Sequence, residues 1–205
     1  MSISFRRDFG VWWPDYDHKP EKCFSMVRAG LGHIAATVKL SGKRRVCVQA
    51  GGHAGLWPLE LAKAFDRVLT FEPEPALFDC LARNVEGAGN IEARRLALSD
   101  RAGHAEMRPH CSAGSWRIQA GGGFRVECVT IDSLGLEACG AIVLDIEGHE
   151  VEALKGAADT ITRFSPVLHV EVLPRAADAI AGHMAAIGYR LHHTAGRDAV
   201  YVRDR

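Results

Sequence analysis

The 205-residue sequence has no excess charge of either sign, no paired-cysteine motif and no long apolar run. Lys plus Arg number 25 and Asp plus Glu number 25, so the formal charge is zero. Without a cationic excess there is no broad electrostatic drive toward polyphosphate, which argues against nucleic acid or an anionic membrane as the main partner. The cysteines are Cys23, Cys47, Cys80, Cys111, Cys128 and Cys139; none forms a CxxC pair or has a histidine at zinc-finger spacing, so no structural zinc site is expected. Cys47 and Cys128 fall within apolar strand-like runs, where a reduced thiol serves as a small core residue. Met1 to Gly10 is polar and basic, unlike a secretory leader. No run approaches the roughly 18 apolar residues of a membrane span. The expectation is a cytoplasmic protein in a reducing compartment.

Hydrophobic residues make up 47% and charged residues 24% of the chain, ordinary usage for a globular domain. That excludes a disordered tail, a collagen-like fibre and a disulfide-stapled miniprotein. At about 150 residues per domain the length favours one domain with a small appendage.

From residue 45 onward short apolar runs alternate with helical patterns, which predicts an α/β architecture with a mostly parallel sheet. Arg45–Ala50 reads as a strand buried on both faces and ends in Gly51-Gly52-His53-Ala54-Gly55. A helix from Trp57 to Phe65 follows, then a strand Val68–Phe71 that ends at Glu72, where Pro73 and Pro75 forbid further pairing. Pro75 opens a helix to Glu86. Further strands are predicted at Ile91–Leu98, His104–Pro109, Phe124–Ile131, Ala141–Glu147 and Val167–Leu173. Val151, Leu154, Ala158 and Ile161 share one helical stripe, and an alanine-rich helix covers Arg175–Ile187. Gly188–Thr194 and Asp198–Arg203 pair as a terminal hairpin. Residues 1–44 differ in texture: Phe24, Val27, Leu31, Ile34 and Val38 mark an amphipathic helix. This N-terminal helical extension packs on the sheet or serves as a lid or dimer contact.

The glycine segment falls between a buried strand and a helix. Gly51 and Gly55 allow close backbone approach to a ligand and conformations closed to other residues. Free helix N–H groups gather at that sheet edge. Glu72 lies 21 residues after Gly51 at the tip of the next strand, where a carboxylate accepts hydrogen bonds from both ribose hydroxyls. Together they point to an adenosine-containing cofactor, either a dinucleotide or S-adenosylmethionine. The glycines do not fit G-x-G-x-x-G, whose middle glycine admits a pyrophosphate, and the terminal strand pair fits a methyltransferase sheet better. S-adenosylmethionine is therefore favoured, with a nicotinamide-dependent oxidoreductase as the alternative enzyme reading.

Several segments together resemble the FkbM family of S-adenosylmethionine-dependent methyltransferases: Val46–Gly55, Phe71-Glu72-Pro73 with Pro75, Ala97-Leu98-Ser99-Asp100, Val129–Leu134, Asp145–Glu150 continuing to Leu154-Lys155-Gly156-Ala157, and Pro166–Val172 with His169 and Glu171. The resemblance covers about residues 45–175. It implies a Rossmann-like methyltransferase fold over residues 45–205, with helices on both faces of the sheet and an antiparallel C-terminal strand. It also implies methyl transfer to a hydroxyl oxygen of a sugar or small natural-product-like acceptor. By position, Gly51 and Gly55 would line the methionine moiety, Glu72 would hold the ribose, and Leu98, Ser99 and Asp100 would sit near the adenine. Asp145 to Glu150, with Glu147, would close the methyl-transfer end. By the same resemblance Gln49, His53, Asp145 and Glu147 would also contact the cofactor, although three residues depart from the family pattern: Gln49 replaces the usual acid, His53 the usual asparagine, and Leu144 a common lysine. Gln49 and Leu144 motivate a third reading, a non-catalytic nucleoside-binding or assembly protein.

Strand alternation would place Asp145 and Glu147 on one face, and His169 and Glu171 together on the next strand. Asp145 is the expected catalytic or substrate-orienting carboxylate, with His149 and His169 as further base candidates because histidine titrates near neutral pH. Glu147 and Glu150 have a competing reading as helix caps. The same carboxylates plus His169 suit Mg²⁺ chemically, although nothing in their spacing demands a metal. The Cys111–Phe124 loop with Trp116 is a candidate substrate-closing element, and Trp12, Trp13 and Tyr16 are candidates for a sugar-stacking face or for core packing.

Overall fold

The computed structural model describes residues 5–42, 44–109, 116–119, 121 and 123–203. Its elements are β1 (Phe5–Asp8), β2 (Val11–Pro14), α1 (Pro20–Leu40), β3 (Val46–Ala50), α2 (Leu56–Ala62), β4 (Arg67–Phe71) and α3 (Pro75–Val85). There follow β5 (Ile91–Arg94), β6 (Ala97–Leu98), β7 (Gly103–Pro109), β8 (Trp116–Ile118), β9 (Phe124–Val129) and β10 (Ala141–Leu144). The chain continues through α4 (Glu150–Lys155), α5 (Ala158–Phe164), β11 (Val167–Glu171), α6 (Ala177–Ala186), β12 (Tyr189–Ala195) and β13 (Asp198–Arg203).

Seven strands form the main sheet in the order β12-β13-β11-β10-β3-β4-β5. The five strands from β11 to β5 pair in parallel, and β13 runs antiparallel to β11 with β12 antiparallel outside it. This is the Rossmann-like sheet that the sequence pattern predicts.

Alternation along the strands divides the core between two faces. Val48, Ala50, Leu69, Phe71, Ile142, Leu144, Leu168 and Val170 join the cluster that includes Leu154, Ile161, Ile180 and Met184 of α4 to α6. Cys47, Val68, Ala141, Val143, Val167 and Val200 pack with Ile34 of α1 and with Trp57, Leu61 and Phe65. Hence α1 lies on the sheet. Gly30 has a packing reason within it: a Cβ there would come within 2.6 Å of the Trp57 ring, whose Nε1–H donates to the Val27 carbonyl.

Four expectations need correction. The strand expected over Ile91–Leu98 is two: β5 stays in the main sheet, while Ala97–Leu98 crosses to a four-stranded sheet ordered β6-β9-β7-β8. The strand expected to reach Glu147 stops at Leu144, because Glu147 (φ +58) and Gly148 (φ +102) take left-handed conformations that no ladder accepts. The helical stripe through Ile161 is broken into α4 and α5 around Gly156, where a Cβ would sit 2.0 Å from the Ser99 carbonyl oxygen. Asp132 then caps α5 from a distant loop, its carboxylate accepting the Asp159 and Thr160 N–H groups at 3.0 and 2.8 Å. Finally, the N-terminal segment is not helical throughout: β1 and β2 form a hairpin turning at Phe9 and Gly10, both at positive φ.

Candidate active site

The C-terminal edge of the parallel strands gathers the site. Register aligns Val200, His169, Val143, Gln49 and Thr70 across mid-sheet. Two residues further along each strand, toward the edge, stand Asp198, Glu171, Asp145, Gly51 and Glu72. Side chains two apart share a face, so this row is the rim on the α1 side.

Gly51 makes the close approach. At φ +83 it occupies backbone space open to glycine, and a Cβ would lie 2.0 Å from the Asp145 carbonyl oxygen. Its N–H and that of Gly52 both donate to the Phe71 carbonyl at 3.0 Å, tying the loop to the tip of β4. Gly52, which sequence reasoning did not single out, is equally confined: a Cβ would meet Leu81 at 2.7 Å and the Thr70 hydroxyl at 2.8 Å. Gly55 is left-handed at φ +91 and precedes α2, snug against Leu81 and Val85 of α3.

Glu72 is buried, with 5% of its surface exposed. Its carboxylate accepts the His53 N–H at 2.9 Å and the Glu74 N–H at 3.0 Å. These bonds fix both oxygens and leave one lone pair on each. Burial, reinforced by the Glu74 charge, raises its pKa to about 7 despite the two N–H bonds. Glu74, another residue missed from sequence, caps α3 through the Leu77 N–H and accepts the Tyr16 hydroxyl at 3.1 Å. Tyr16 in turn meets Trp116 edge-on at 6.4 Å, so the N-terminal turn and the tip of β8 approach one another beside Glu74.

Two expected cofactor residues work from behind the loop. Gln49 is fully buried; its amide donates to the Ala50 and Gly51 carbonyls at 3.1 and 3.0 Å and its oxygen accepts the Thr70 hydroxyl. All its polar groups brace the glycine turn. His53 adopts φ +47 and turns its ring onto Trp13, 4.9 Å between centroids, with Nε2 3.8 Å from the Cys23 sulfur. Burial drives its pKa down to about 4, so the ring is neutral, and Nδ1 has no partner. Its contribution to the site is the N–H that holds Glu72.

Leu98 also differs from expectation, because its side chain is core at 2% exposure and can offer a ligand only backbone. Ser99 is buried, and its hydroxyl lies 3.0 Å from His149 Nε2 and 3.2 Å from Asp100. Asp100 is exposed beside it.

Asp145 follows β10 directly, its N–H bonded to the Ala50 carbonyl at 3.1 Å. It is partly accessible, yet dense surroundings raise its carboxyl well above the ordinary range, with Glu171, Asp198, Glu147 and Glu150 adding repulsion. Glu150 is 1% exposed and its Oε1 accepts the Ile146 and Gly148 N–H groups at 3.1 Å each, so it braces the loop before α4 instead of capping the helix. Glu147 instead has its carboxylate 3.5 Å from Arg117 and its carbonyl accepting Arg175 at 2.8 Å. His149 is half-buried and its pKa is lowered by desolvation, which keeps it neutral at pH 7.

His169 does not fit the expected role of base. It is fully buried beneath α1, with Nδ1 2.8 Å from the Thr37 hydroxyl, Nε2 3.5 Å from Asp198 and its ring against Trp57. It sits one alternation short of the rim and joins α1 to the sheet, while His33 reaches Asp198 from α1. Trp13 is likewise core at 0% exposure and offers no sugar-stacking face, whereas Trp12 is half-buried with Arg83 over its ring. Of the Cys111–Phe124 loop, residues 111–115, 120 and 122 lie outside the described residues. Among the described residues no three His, Cys, Asp or Glu side chains are grouped to hold a metal, and no helix is long and apolar enough to cross a membrane.

The missed residues Arg117 and Arg175 carry no local signal. One lies in an edge strand of the small sheet and the other follows β11, and only the fold brings both to Glu147.

The model of the methyltransferase FkbM domain family matches residues 49–191. A hexuronic acid methyltransferase of Haloferax volcanii is 29% identical over 118 residues, covering 53% of this chain and 49% of that protein, so the chain spans about half the length of that curated relative. The crystal structure of methyltransferase FkbM from Methylobacillus flagellatus KT superposes with a TM-score of 0.59 at 23% identity, over 78% of this chain and 44% of that one. Magnesium protoporphyrin IX methyltransferase from Synechocystis PCC 6803, solved with bound S-adenosylmethionine, gives 0.54 at 14% identity, over 91% and 84%. At these identities the two structures speak for the fold, and the family match covers most of the rim described above. The chain belongs to the methyltransferase FkbM domain family.

Proposed function

We propose that this protein transfers the methyl group of S-adenosylmethionine to a hydroxyl oxygen of a sugar-type acceptor. The observation that carries the reading is the union of Gly51, pressed on the Asp145 carbonyl, with Glu72, a buried carboxylate held by two N–H bonds with one lone pair left on each oxygen. Such a carboxylate suits a ribose diol, and the glycine cradle suits a nucleoside laid across the tips of β3 and β4. The family match and the hexuronic acid methyltransferase relative support the chemistry and the acceptor class.

When bound, S-adenosylmethionine supplies an electrophilic methyl on a cationic sulfonium, with a neutral thioether as the leaving group. The acid-rich rim of Asp145, Glu147, Glu150 and Glu171 favours a cation there. Glu72 would hold the ribose hydroxyls of the bound cofactor, and holding donor and acceptor in place is what a displacement in line requires. Asp145 accepts the acceptor hydroxyl proton as the oxygen forms its new bond to carbon. The pKa of Asp145, raised well above the ordinary carboxylate range by burial and by the neighbouring acids, makes it a stronger base than an exposed aspartate. Neutral His149, aligned by Ser99, stands at the other side of the loop as a hydrogen-bonding contact for the acceptor.

Calorimetric titration with S-adenosylmethionine and with NAD, followed by transfer of a labelled methyl group to a panel of sugars, tests this. Tight NAD binding without S-adenosylmethionine binding overturns it, as does cofactor binding without turnover on any hydroxyl acceptor.

A further inference from the structure

Along the loop that follows Asp145, outside the residues assigned to the nucleoside, a cleft of about 320 Å³ opens between the two sheets. Its walls are Arg117, Ile118 and Gln119 on one side, the Glu147-Gly148-His149 loop at the base, and Arg175 on the other. We propose that this cleft is the acceptor subsite and that Arg175, with Arg117, clamps a carboxylate carried by the acceptor. The proposal rests on the methyltransferase reading above and adds a substrate class, acidic rather than neutral sugars.

The orientation of Arg175 is built into the backbone. Glu147 takes a left-handed conformation that is uncommon outside glycine, and its carbonyl accepts one Arg175 nitrogen at 2.8 Å. Gly148 leaves the space beside the guanidinium, since a Cβ there would come within 2.6 Å of the same nitrogen. One bond to a carbonyl leaves most of the five-donor fork uncommitted. Among the described residues no carboxylate pairs with Arg175, whereas Arg67 and Arg94 both pair with Glu92.

Arg117 adds a second incomplete donor set. Its side chain is 21% exposed, one terminal nitrogen stands 3.5 Å from the Glu147 carboxylate, and its Nε is buried with no partner. The 3.5 Å contact is too long for a strong hydrogen bond, so the terminal nitrogens are the donors an incoming oxyanion would meet. Two guanidiniums and one carboxylate line the cleft, with His149 neutral, so its own lining is net positive although the rim next to it is rich in acids. The acids behind the loop do not cancel this: Glu150 turns its oxygen onto the loop N–H groups, and Glu171 faces Arg197 at 3.5 Å. A planar fork of this kind matches a carboxylate in two parallel hydrogen bonds, which fixes the orientation of the ring that bears it.

The test compares methyl glucuronide with methyl glucoside as acceptors for the full chain with labelled S-adenosylmethionine. Expected is a kcat/KM at least ~10-fold higher for the glucuronide, a preference that falls ~10- to 100-fold in Arg175→Gln and chiefly through KM. Arg175→Lys, which keeps the charge and loses the fork, should retain part of it. A wild-type enzyme that does not discriminate, or an Arg175→Gln variant that keeps the preference, overturns the clamp while leaving the methyltransferase reading intact. A second measurement does not need turnover: arginine Nε–H resonances followed by NMR while glucuronate or glucose is added with S-adenosylhomocysteine present. Shifts at Arg175 and Arg117 with glucuronate only support the clamp, and their absence overturns it. Shifts without methyl transfer to either sugar support the clamp and overturn the proposed reaction.

Discussion

Replacing Glu72 by glutamine changes one charge and almost no volume, and it separates two consequences of the same carboxylate. Burial raises its pKa from 4.5 to about 7, which makes the ionised form about 3 kcal/mol less favourable in the folded protein than in the unfolded chain. A carboxyl raised on folding holds more protons in the native state than in the unfolded state between those two values. Native stability from this group is therefore intact below about 4.5 and is lost as pH climbs to about 7. Glutamine cannot ionise. It does turn an amide toward one of the two N–H donors now bound by the carboxylate, at a cost of about 1–3 kcal/mol that does not vary with pH. Comparing the variant with wild type by urea denaturation at pH 4.5 and at pH 8 cancels that constant. The variant should gain about 3 kcal/mol relative to wild type between the two, while its affinity for S-adenosylmethionine falls at least ~10-fold. Equal stability differences at both pH values would refute the burial argument, and unchanged cofactor affinity would refute the ribose assignment.

The same protonation predicts that S-adenosylmethionine binds up to ~10-fold more tightly at pH 8 than at pH 6, since ribose hydroxyls donate to the ionised form of Glu72; calorimetry at both values checks it. Asp145→Asn should lower kcat by ~10²- to 10⁴-fold with cofactor affinity changed only a few-fold, measured by single-turnover transfer. Gly51→Ala forces a Cβ to within 2.0 Å of the Asp145 carbonyl oxygen at a positive φ, so both thermal stability and cofactor binding should drop; retention of wild-type affinity would contradict the close approach. His169→Gln should lower the melting temperature through the broken link to Thr37 while leaving the pH profile of kcat in place, because the ring lies beneath α1 and away from the rim.

How far these features were legible from sequence follows the range of the forces that set them. Ala141–Leu144 is apolar on both faces and Val46–Ala50 nearly so, Gln49 excepted, so their place at the centre of a covered sheet is written in a few adjacent residues. Glu72 was readable because a strand tip, two prolines and the preceding glycine loop coincide. The end of β10 was not: Asp145-Ile146-Glu147 has strand-like composition, and the left-handed turn at Glu147 is stabilised by Glu150 beyond it and by Arg175 from another element. The β1–β2 hairpin lacks an Asn-Gly or Asp-Gly turn, and uses Phe9 at positive φ instead. His169 shows the same limit from another side, since alternation gave its face correctly but not the helix that covers it. Gln49, which stands at a family acid position, turns inward and braces the glycine loop with every polar group it has.

A crystal structure of the protein with S-adenosylhomocysteine tests the central claim most directly. The account predicts both ribose hydroxyls within about 2.7–3.2 Å of the Glu72 carboxylate, the thioether sulfur over Gly51, and the vacated methyl position facing Asp145. A nucleoside bound elsewhere, with Glu72 still holding only the His53 and Glu74 N–H groups, would contradict it.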